Sequence, residues 1–448
     1  MKRSRTMKIA PVAGLAAIAM LAAACGSSGG STSTSGGSSS KPGASAPGIT
    51  ATSITIGSTQ PLTGVAAPGY DEISQASEAY FQYLNAHGGI FGRKINYIVK
   101  NDQYNPSITS TMTRQLVLND NIFADFDALG TPTHLAVAPF LNSEKVPDIF
   151  VASGCECWNA PKTWPDTFGW QLDYVREGKI LGNYVKQHFA GKKIGIFYQN
   201  DEFGLDGVKG LDYELPASSV VAKEPYDDTN TAVGPQVAKL KAAGAQVVIS
   251  FSVPAFTALL KLNMLGLGFN PTLVVSSVGS DAITLGGLLQ AFAAQSHKKV
   301  VGNQLTQGII TDGYLPALGA ASTNTWLQLF QKIHTQYIPK LPFDGNVEYG
   351  MSVAYSFAQA MEKAGKNPTR QDLLTALEGG LSQGASVAPY AYSASDHNGG
   401  TGAYVGTIEN GVLVQQGPVL ITDTSPTGAI TSYTTPQPAV PASGIPSP

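Results

Sequence analysis

The sequence lacks every familiar arrangement of catalytic residues. It contains no His-Glu-x-x-His pair, no Gly-x-Ser-x-Gly elbow between a predicted strand and a predicted helix, and no Gly-Lys-Ser/Thr phosphate loop. The stretch LGLGFNP has a Gly-x-Gly pair but no third glycine, and it ends in Pro271. The six histidines are scattered along the chain: His87, His134, His188, His297, His334 and His397. These absences predict that the protein is not an enzyme and that it uses no cofactor or metal.

Charged residues and long apolar runs are also scarce. Asp, Glu, Lys and Arg make up 13% of the chain, and the formal net charge is -3. With no basic stripe, neither nucleic acid nor a lipid headgroup surface is an expected partner. Beyond the N-terminus, no stretch approaches the roughly 18 to 20 continuous apolar residues of a spanning helix. Contact with a membrane is therefore expected only through an anchor.

The N-terminus has the features of an export signal. Four basic residues precede an apolar run that ends at Ala24. The small residues before Cys25 resemble the bacterial lipobox, in which the cysteine becomes the lipid-modified first residue, although Ala22 stands where leucine is commonest. Ordinary secretory cleavage, with Cys25 incidental, is the alternative. The sequence thus predicts a lipoprotein signal peptide over residues 1–24 and an extracytoplasmic protein anchored to the cell membrane by lipid.

Two polar segments flank the globular part. Residues 25–49 are rich in Ser and Gly and predict a flexible tether that begins at the lipidated cysteine. Residues 425–448 are rich in Pro, Ser and Thr and predict a disordered tail. The residues between these segments are numerous enough for two domains of ordinary size.

Apolar β-rich runs alternate with helical patterns through the globular part. SITIGST over residues 53–59 predicts a strand, and residues 71–89 predict a helix that two glycines end. The alternation starts again after residue 172, with predicted strands such as KKIGIFYQN and AQVVISF. Near the end, an Asn410-Gly411 turn predicts a hairpin. The predicted fold class is α/β, with two doubly wound parallel-sheet lobes that bind ligands at the C-terminal ends of their strands.

Two stretches point to a family. LNAHGGIFGRKINYIVKNDQYNP, from Leu84, contains the pattern Asn-Ala-x-Gly-Gly-x-x-Gly followed by a strand, an Asp and a Pro. In FYQNDEFGLDGVKGL an aromatic residue precedes a glycine at the start of a helix. The order and spacing of these stretches resemble branched-chain amino-acid type solute-binding proteins of ABC importers. The resemblance covers about residues 53–420.

The resemblance implies a type I periplasmic-binding architecture, whose lobes are joined by a three-strand hinge. Lobe 1 would comprise residues 50–170 and 305–394, and lobe 2 would comprise residues 171–304 and 395–424. A monomer would close around a small solute and deliver it to the permease and ATPase subunits of an ABC importer. The alternative is a receptor of the same fold that signals to a membrane sensor partner.

One loop suggests a ligand contact from its residues alone. A predicted strand ends at Gly130, Thr131 stands at a probable N-cap, and Pro132 suits the first helical position. A helix N-terminus facing the crevice favours an anion.

Further contacts follow only from the resemblance. A ligand carboxylate would bind at Thr131 with Thr133 close by, and Phe203 would pack on the ligand beside a first-lobe aromatic position at Tyr70. The remaining implied contacts are Ala152, Ser153, Gly154, Ser252 and Ser277.

The region around Ser277 departs from the family pattern. Amino-acid binders of the family place an acidic residue there, opposite the ligand ammonium, whereas LVVSSVGSDA offers serines until Asp281. A buried ammonium without a carboxylate partner is costly. The sequence therefore favours a ligand that has a carboxylate but no α-ammonium, such as an aromatic or aliphatic acid. An amino acid remains open if Asp281, Asp227 or Glu202 supplies the charge.

Cys155 and Cys157 lie one residue apart in the same contact loop as Ser153. A closed zinc site needs four ligands, and no histidine is adjacent in sequence, so metal binding is disfavoured. Outside the cytoplasm the two thiols can form a disulfide or stay buried and reduced. By position in the loop, Trp158 is a candidate aromatic wall of the ligand site.

Overall fold

The computed structural model describes residues 46–295 and 297–447 of the chain. The strands within these residues are β1 (Ser53–Gln60), β2 (Lys94–Asn101), β3 (Ala124–Phe126), β4 (Asp148–Val151), β5 (Thr167–Gly169), β6 (Ile194–Gln199), β7 (Val220–Tyr226), β8 (Val247–Phe251), β9 (Thr272–Val275), β10 (Ile310–Gly313), β11 (Gly402–Glu409), β12 (Val412–Ile421) and β13 (Thr431–Tyr433).

The helices cover both faces of the sheets. They are α1 (Ala67–Ala86), α2 (Pro106–Leu118), α3 (Thr131–Leu135), α4 (Ala138–Ser143), α5 (Tyr174–His188), α6 (Glu202–Glu214), α7 (Gly234–Ala242), α8 (Pro254–Gly266), α9 (Ala282–Gln295), α10 (Gly302–Thr306), α11 (Thr325–Tyr337), α12 (Gly345–Ala364) and α13 (Arg370–Glu378). Short 3-10 turns lie at Glu156–Trp158, Ala217–Ser219, Ser277–Gly279 and Leu318–Ala320.

Two sheets form the cores of two lobes. The first has the strand order β2-β1-β3-β4-β5, and all of its pairs are parallel. The second has the order β13-β12-β11-β10-β9-β8-β6-β7, in which the five strands β6 to β10 are parallel and β11, β12 and β13 pair antiparallel. The predicted α/β class with two parallel-sheet lobes is confirmed.

The strand order places a switch point in each sheet. In lobe 1 the chain winds outward in both directions from β1 and β3, and in lobe 2 from β6 and β8. Crevices form where adjacent βα loops turn to opposite faces of a sheet. The loops after β3 and β6 therefore face a common cleft.

The chain crosses between the lobes three times, near residues 170–173, 314–324 and 379–401. The second crossing differs from the sequence-based boundary at residue 304. β10 pairs with β9 and β11, so residues 305–313 belong to lobe 2. A strand of four residues carries too little sequence pattern to fix its sheet.

The C-terminal segment is not the disordered tail that its composition predicts. β13 extends the lobe 2 sheet. The residues just before β13 bind the side chain of Lys179, which is buried in the same lobe. The ammonium of Lys179 donates to the carbonyls of Asp423, Ser425 and Gly428 at 2.9, 2.8 and 3.0 Å. A buried ammonium requires such partners, so it orders a chain that buries little apolar surface itself.

The last residues of the segment lie on lobe 1. The hydroxyl of Tyr80 donates to the carbonyl of Gly444 at 3.0 Å, and the indole of Trp326 donates to the carbonyl of Pro438 at 2.9 Å. Because β13 lies in the other sheet, the C-terminal segment contacts both lobes.

The predicted signal peptide over residues 1–24, the lipidation site Cys25 and most of the tether lie outside the described residues. The end of the tether is folded, since Ile49 is buried and its backbone bridges to Ile54. Among the helices that the structure describes, none combines the length and the apolar character needed to cross a membrane.

Candidate ligand-binding site

A cavity of about 160 Å³ lies between the lobes. Lobe 1 contributes residues such as Tyr70 and Thr131, and lobe 2 contributes residues such as Phe203 and Asp312. A cavity of about 150 Å³ is large enough for benzene, so the space suits a compact organic solute. Its position matches the crevice that the strand order creates.

Thr131 reaches the cavity from the loop after β3, but it does not cap its helix. Gly130 occupies the N-cap with φ 109, and Thr131 is the first helical residue. The Thr131 hydroxyl lies 2.7 Å from the hydroxyl of Ser153, and the Tyr174 side chain lies beside both. The predicted cap at Thr131 is wrong because only glycine readily adopts the backbone that this turn needs.

Two carboxyl groups meet behind Ser277. The backbone N–H of Ser277 donates to Glu177 Oε1 at 2.8 Å and to Asp312 Oδ1 at 3.0 Å, and the Ser277 hydroxyl donates to the same Glu177 oxygen at 2.8 Å. Burial raises the pKa of Asp312 well above its usual range, and Glu177 raises it further. Burial also raises the pKa of Glu177. Two carboxyl groups this close together repel each other when both are ionised, so the pair retains one proton more readily than it loses both.

A second acidic group faces the cavity from the first turn of α12. Glu348 is 3% exposed, and burial followed by the charge of Asp281 raises its pKa well above the usual range. Asp281 also lines the cavity, where it accepts hydrogen bonds from Thr284 N at 2.8 Å and Gly345 N at 3.0 Å. Asp281 is thus held by backbone donors, whereas the Glu348 carboxyl is not held in this way.

Aromatic side chains form most of the remaining wall. Six tyrosines line the cavity: Tyr70, Tyr104, Tyr174, Tyr314, Tyr349 and Tyr404. Trp170 holds two of them from behind, with ring centroids 5.0 Å from Tyr349 and 6.3 Å from Tyr314. Such rings offer apolar faces to a ligand body and π-faces to a cation.

The lobes are closed on each other around the cavity. Tyr70 of lobe 1 donates from its hydroxyl to the carbonyl of Val278 in lobe 2 at 2.9 Å. Asn346 Nδ2 on α12 donates to Thr284 Oγ1 on α9 at 3.1 Å. Contacts of this kind exist only when the cleft is shut, so the cavity is the interior of a closed clamshell.

Comparison with known proteins agrees with this geometry. The family model described as periplasmic binding protein matches residues 53–412. The chain belongs to this periplasmic binding protein family. It is 23% identical over 354 residues to a Leu/Ile/Val-binding protein homolog 3 of Brucella melitensis, an alignment that covers 76% of this chain and 87% of the relative. The branched-chain amino-acid type suggested by the sequence motifs is confirmed at the level of the family.

Solved structures share the fold of this binding protein. A branched-chain amino acid ABC transporter protein from Thermus thermophilus with bound valine superposes with a TM-score of 0.70 at 18% identity, covering 83% of this chain and 97% of that one. A fatty acid ABC transporter substrate-binding protein from Thermomonospora curvata gives a TM-score of 0.68 at 21% identity, covering 83% and 93%. The fold therefore accommodates chemically different ligands.

Five of the ten residues expected to contact the ligand line the cavity: Tyr70, Thr131, Ala152, Phe203 and Ser277. They lie in the loops after the strands of both sheets or at the start of the following helices. Open α/β sheets bind their ligands at this edge, the C-terminal ends of the strands. Their contact with a ligand stays a prediction.

The other five do not lie in the cavity wall. The Thr133 hydroxyl donates to the carbonyl of Leu129 at 2.7 Å, and the Ser252 hydroxyl lies 2.7 Å from that of Thr257. The indole of Trp158 donates to the carbonyl of Ser153 at 3.0 Å, so it packs inside lobe 1 instead of forming a ligand wall.

The last two members of this set support the cavity from behind. Ser153 acts through its partner Thr131, and a Cβ at Gly154 would collide with the ring of Tyr174. Polar side chains in these loops are therefore satisfied within the protein.

Sequence reasoning missed the acidic groups that face the ligand space. The sequence offered only serines at the position matched to the family's acidic residue, but Glu177 on α5 and Asp312 on β10 both accept a hydrogen bond from Ser277. Of the three acids named as substitutes, Asp281 lines the cavity, whereas Asp227 and Glu202 do not belong to its wall. Asp312 lies at the C-terminal end of β10, and ligands of open α/β sheets bind at the C-terminal ends of the strands, so that position carried a signal.

The cysteine loop has the disulfide form. The Sγ atoms of Cys155 and Cys157 are bonded, and Cys155 packs with Val151 and Trp158 in a small apolar cluster. The same loop contacts lobe 2, where the backbone N–H of Glu156 donates to Asp206 Oδ2 at 2.8 Å. The disulfide therefore shapes a loop at the edge of the cleft.

A buried polar cluster lies inside lobe 1. Candidate metal-ligand atoms of Asp125, His134 and Asp148 lie within 4.8 Å of one another. His134 Nε2 lies 2.8 and 2.9 Å from the two oxygens of Asp148. Burial lowers the pKa of His134, but the hydrogen bond and charge of Asp148, with the charges of Asp125 and Asp102, together raise it above its usual value. The arrangement is that of a buried ion pair beside a second carboxyl group.

Proposed function

We propose that the protein is an extracytoplasmic solute-binding lipoprotein that captures a small organic solute between its lobes and delivers it to an ABC importer. The observation that carries the proposal is the cavity shared by the two lobes, together with the Tyr70 to Val278 hydrogen bond that closes it. Binding energy from both lobes favours the closed form, and a permease that recognises this form receives the loaded protein.

The volume of the cavity limits the size of the solute. A space of about 160 Å³ suits a body of the size of a branched-chain or aromatic side chain better than a long acyl chain. The names of relatives include both Leu/Ile/Val binding and fatty acid transport. The cavity volume favours a ligand body of the size of a Leu, Ile or Val side chain over an acyl chain.

The test begins with the solute that the protein carries. Protein purified from its native host is denatured, and the released small molecule is identified by mass spectrometry. X-ray scattering of solute-free and loaded protein is then expected to show compaction on loading. A tight-binding solute that leaves the scattering profile unchanged contradicts the clamshell mechanism.

Delivery and anchoring need separate measurements. Deleting the protein is expected to abolish uptake of the radiolabelled solute, and the wild-type chain restores it. Normal uptake in the deletion strain, with loss of a transcriptional response to the solute, would favour a sensor role. Metabolic labelling with a fatty acid is expected to mark the wild-type chain and not the Cys25→Ser variant.

A further inference from the structure

The cavity has an unbalanced charge. Three carboxyl groups line it, on Asp281, Asp312 and Glu348, and Glu177 lies directly behind Asp312. Within the described part of the chain, no lysine, arginine or histidine lines the cavity. Buried carboxyl groups without a cation either keep a proton or bind a positive charge from outside.

Two of these groups have free acceptor capacity. Glu348 Oε1 has no hydrogen-bond partner among the described residues, and Asp312 Oδ2 has none except the Glu177 carboxyl group, with which it shares a proton; both side chains are buried in the cavity wall. Glu177 Oε2 has no donor apart from that shared proton. Unsatisfied buried acceptors are costly, so their position facing the ligand space indicates that the ligand supplies the donors.

The titratable groups around Glu177, Asp312 and Glu348 add no positive charge. The titratable side chains that face Glu177, Asp312 and Glu348 are Tyr70, Tyr174, Tyr314, Tyr404 and Asp281. Burial raises the pKa of Tyr404, and the charges of Glu348 and Asp312 raise it further. The Tyr404 ring therefore lies within the field of both carboxyl groups.

The part of the cavity around Thr131 offers little to an anion. The hydroxyls of Thr131 and Ser153 are paired with each other, and Tyr174 lies beside them. Helix α3 behind Thr131 has five residues. Beside Thr131 a ligand carboxylate would find neutral hydroxyls, whereas beside Asp312 and Glu348 an ammonium would find carboxyl groups.

We propose, on the basis of the function proposed above, that the solute is a compact organic cation, an amine with an apolar or aromatic body. Its ammonium donates to the free oxygens of Asp312 and Glu348, and its body packs against the tyrosine walls. An amino acid brings equal positive and negative charge and neutralises less of the cavity. This reverses the acid ligand that the sequence alone favours.

The test compares matched ligands on the full-length binding protein by calorimetry. One set is 2-phenylethylamine, phenylalanine and 3-phenylpropionate, and a second is 3-methylbutylamine, leucine and 4-methylpentanoate. Within each set the body is nearly constant and the charge changes. We expect the amine to bind at least tenfold more tightly than the acid and more tightly than the amino acid.

Substitutions and a pH series test whether the carboxyl groups of Asp312 and Glu348 bind the ligand ammonium. Asp312→Asn and Glu348→Gln are each expected to weaken amine binding at least tenfold, whereas Asp212→Asn on the exposed face of α6 leaves it unchanged. Amine affinity of the unsubstituted protein is expected to rise from pH 6 to pH 8, because the ammonium binds the ionised carboxyl groups and displaces their proton. That measurement stands even if a variant fails to fold.

The outcomes separate this inference from the proposed function. Tighter binding of the acid, tighter binding of the amino acid, or no binding by any of the six compounds overturns the cation inference. Compaction with an acid or an amino acid would still support the solute-binding function. Failure of the naturally carried solute to compact the protein would contradict the function itself.

Discussion

Glu177 and Asp312, which lie on different elements of lobe 2, accept hydrogen bonds from the same backbone N–H of Ser277. This arrangement holds two acidic groups together at the wall of the ligand cavity. Glu177 Oε1 also accepts from the Ser277 hydroxyl at 2.8 Å. One of the donors that stabilise the ionised form of Glu177 can therefore be removed without changing the backbone.

Removing that hydroxyl tests the arrangement. Ser277→Ala is expected to lower the free energy of unfolding by about 0.5–1.5 kcal/mol, the usual contribution of one hydrogen bond, because Glu177 Oε1 keeps the backbone N–H of Ser277 as a donor. The loss is expected to be larger at pH 8 than at pH 5, because Glu177 needs its donors most when ionised. Urea unfolding at both pH values measures it, with exposed Ser107→Ala as the control. An equal loss at the two pH values would show that the hydroxyl acts independently of the charge.

Asp344 predicts how stability depends on pH. Burial, followed by the charges of Asp281 and Glu72, raises the pKa of Asp344 to about 9. The unfolded chain releases this proton near pH 4, so between about pH 4 and pH 9 the folded chain binds more protons. Stability is therefore present at low pH and is lost as the pH rises through this window.

Asp344→Asn isolates this contribution. Asp344 Oδ1 caps α12 by accepting from Asn346 N and Val347 N, and asparagine caps a helix equally well. The variant is expected to be more stable than the wild-type chain at pH 8 and to show a flatter decline of stability with pH. Thermal unfolding from pH 5 to pH 8 measures both, with Asp212→Asn as the matched control. Parallel curves for variant and wild type would refute the assignment.

The docked C-terminal segment makes a third prediction. Tyr80→Phe removes the hydroxyl that donates to the Gly444 carbonyl and is expected to destabilise the fold by about 0.5–1.5 kcal/mol. In a chain that ends at residue 436, the same substitution is expected to cost almost nothing, because its partner is gone. Denaturant unfolding of the four proteins gives the coupling, and Tyr213→Phe on α6 is the control. Equal costs in the two chains would mean that the segment is not docked in solution.

Local patterns predicted much of the fold because they depend on near neighbours. The Asn410-Gly411 pair, with φ of 53° and 82°, forms the hairpin turn between β11 and β12 as expected. The alternation of strands and helices gave two parallel sheets, since each element buries one apolar face. The loop after β3 was located in the same way, and Thr131 lines the cavity.

Features that depend on contacts between residues far apart in the sequence could not be predicted from local patterns. The C-terminal segment has the composition of a disordered tail, yet Lys179 and Trp326 supply the donors that hold it. The second crossing between the lobes lies after β10, because this four-residue strand pairs with β9 and β11 in the lobe 2 sheet.

By itself, the sequence determined the family, the two-lobed α/β architecture and the place of the ligand crevice, because periodicity and strand-end loops act locally. Only the tertiary structure decided the chemistry of the cavity. Glu177, Asp312 and Glu348 are far apart along the chain, and their spacing forms no motif. Folding brings them close to the ligand space, where burial raises the pKa of each carboxyl group. The charge of Glu177 raises the pKa of Asp312 further, and that of Asp281 raises the pKa of Glu348.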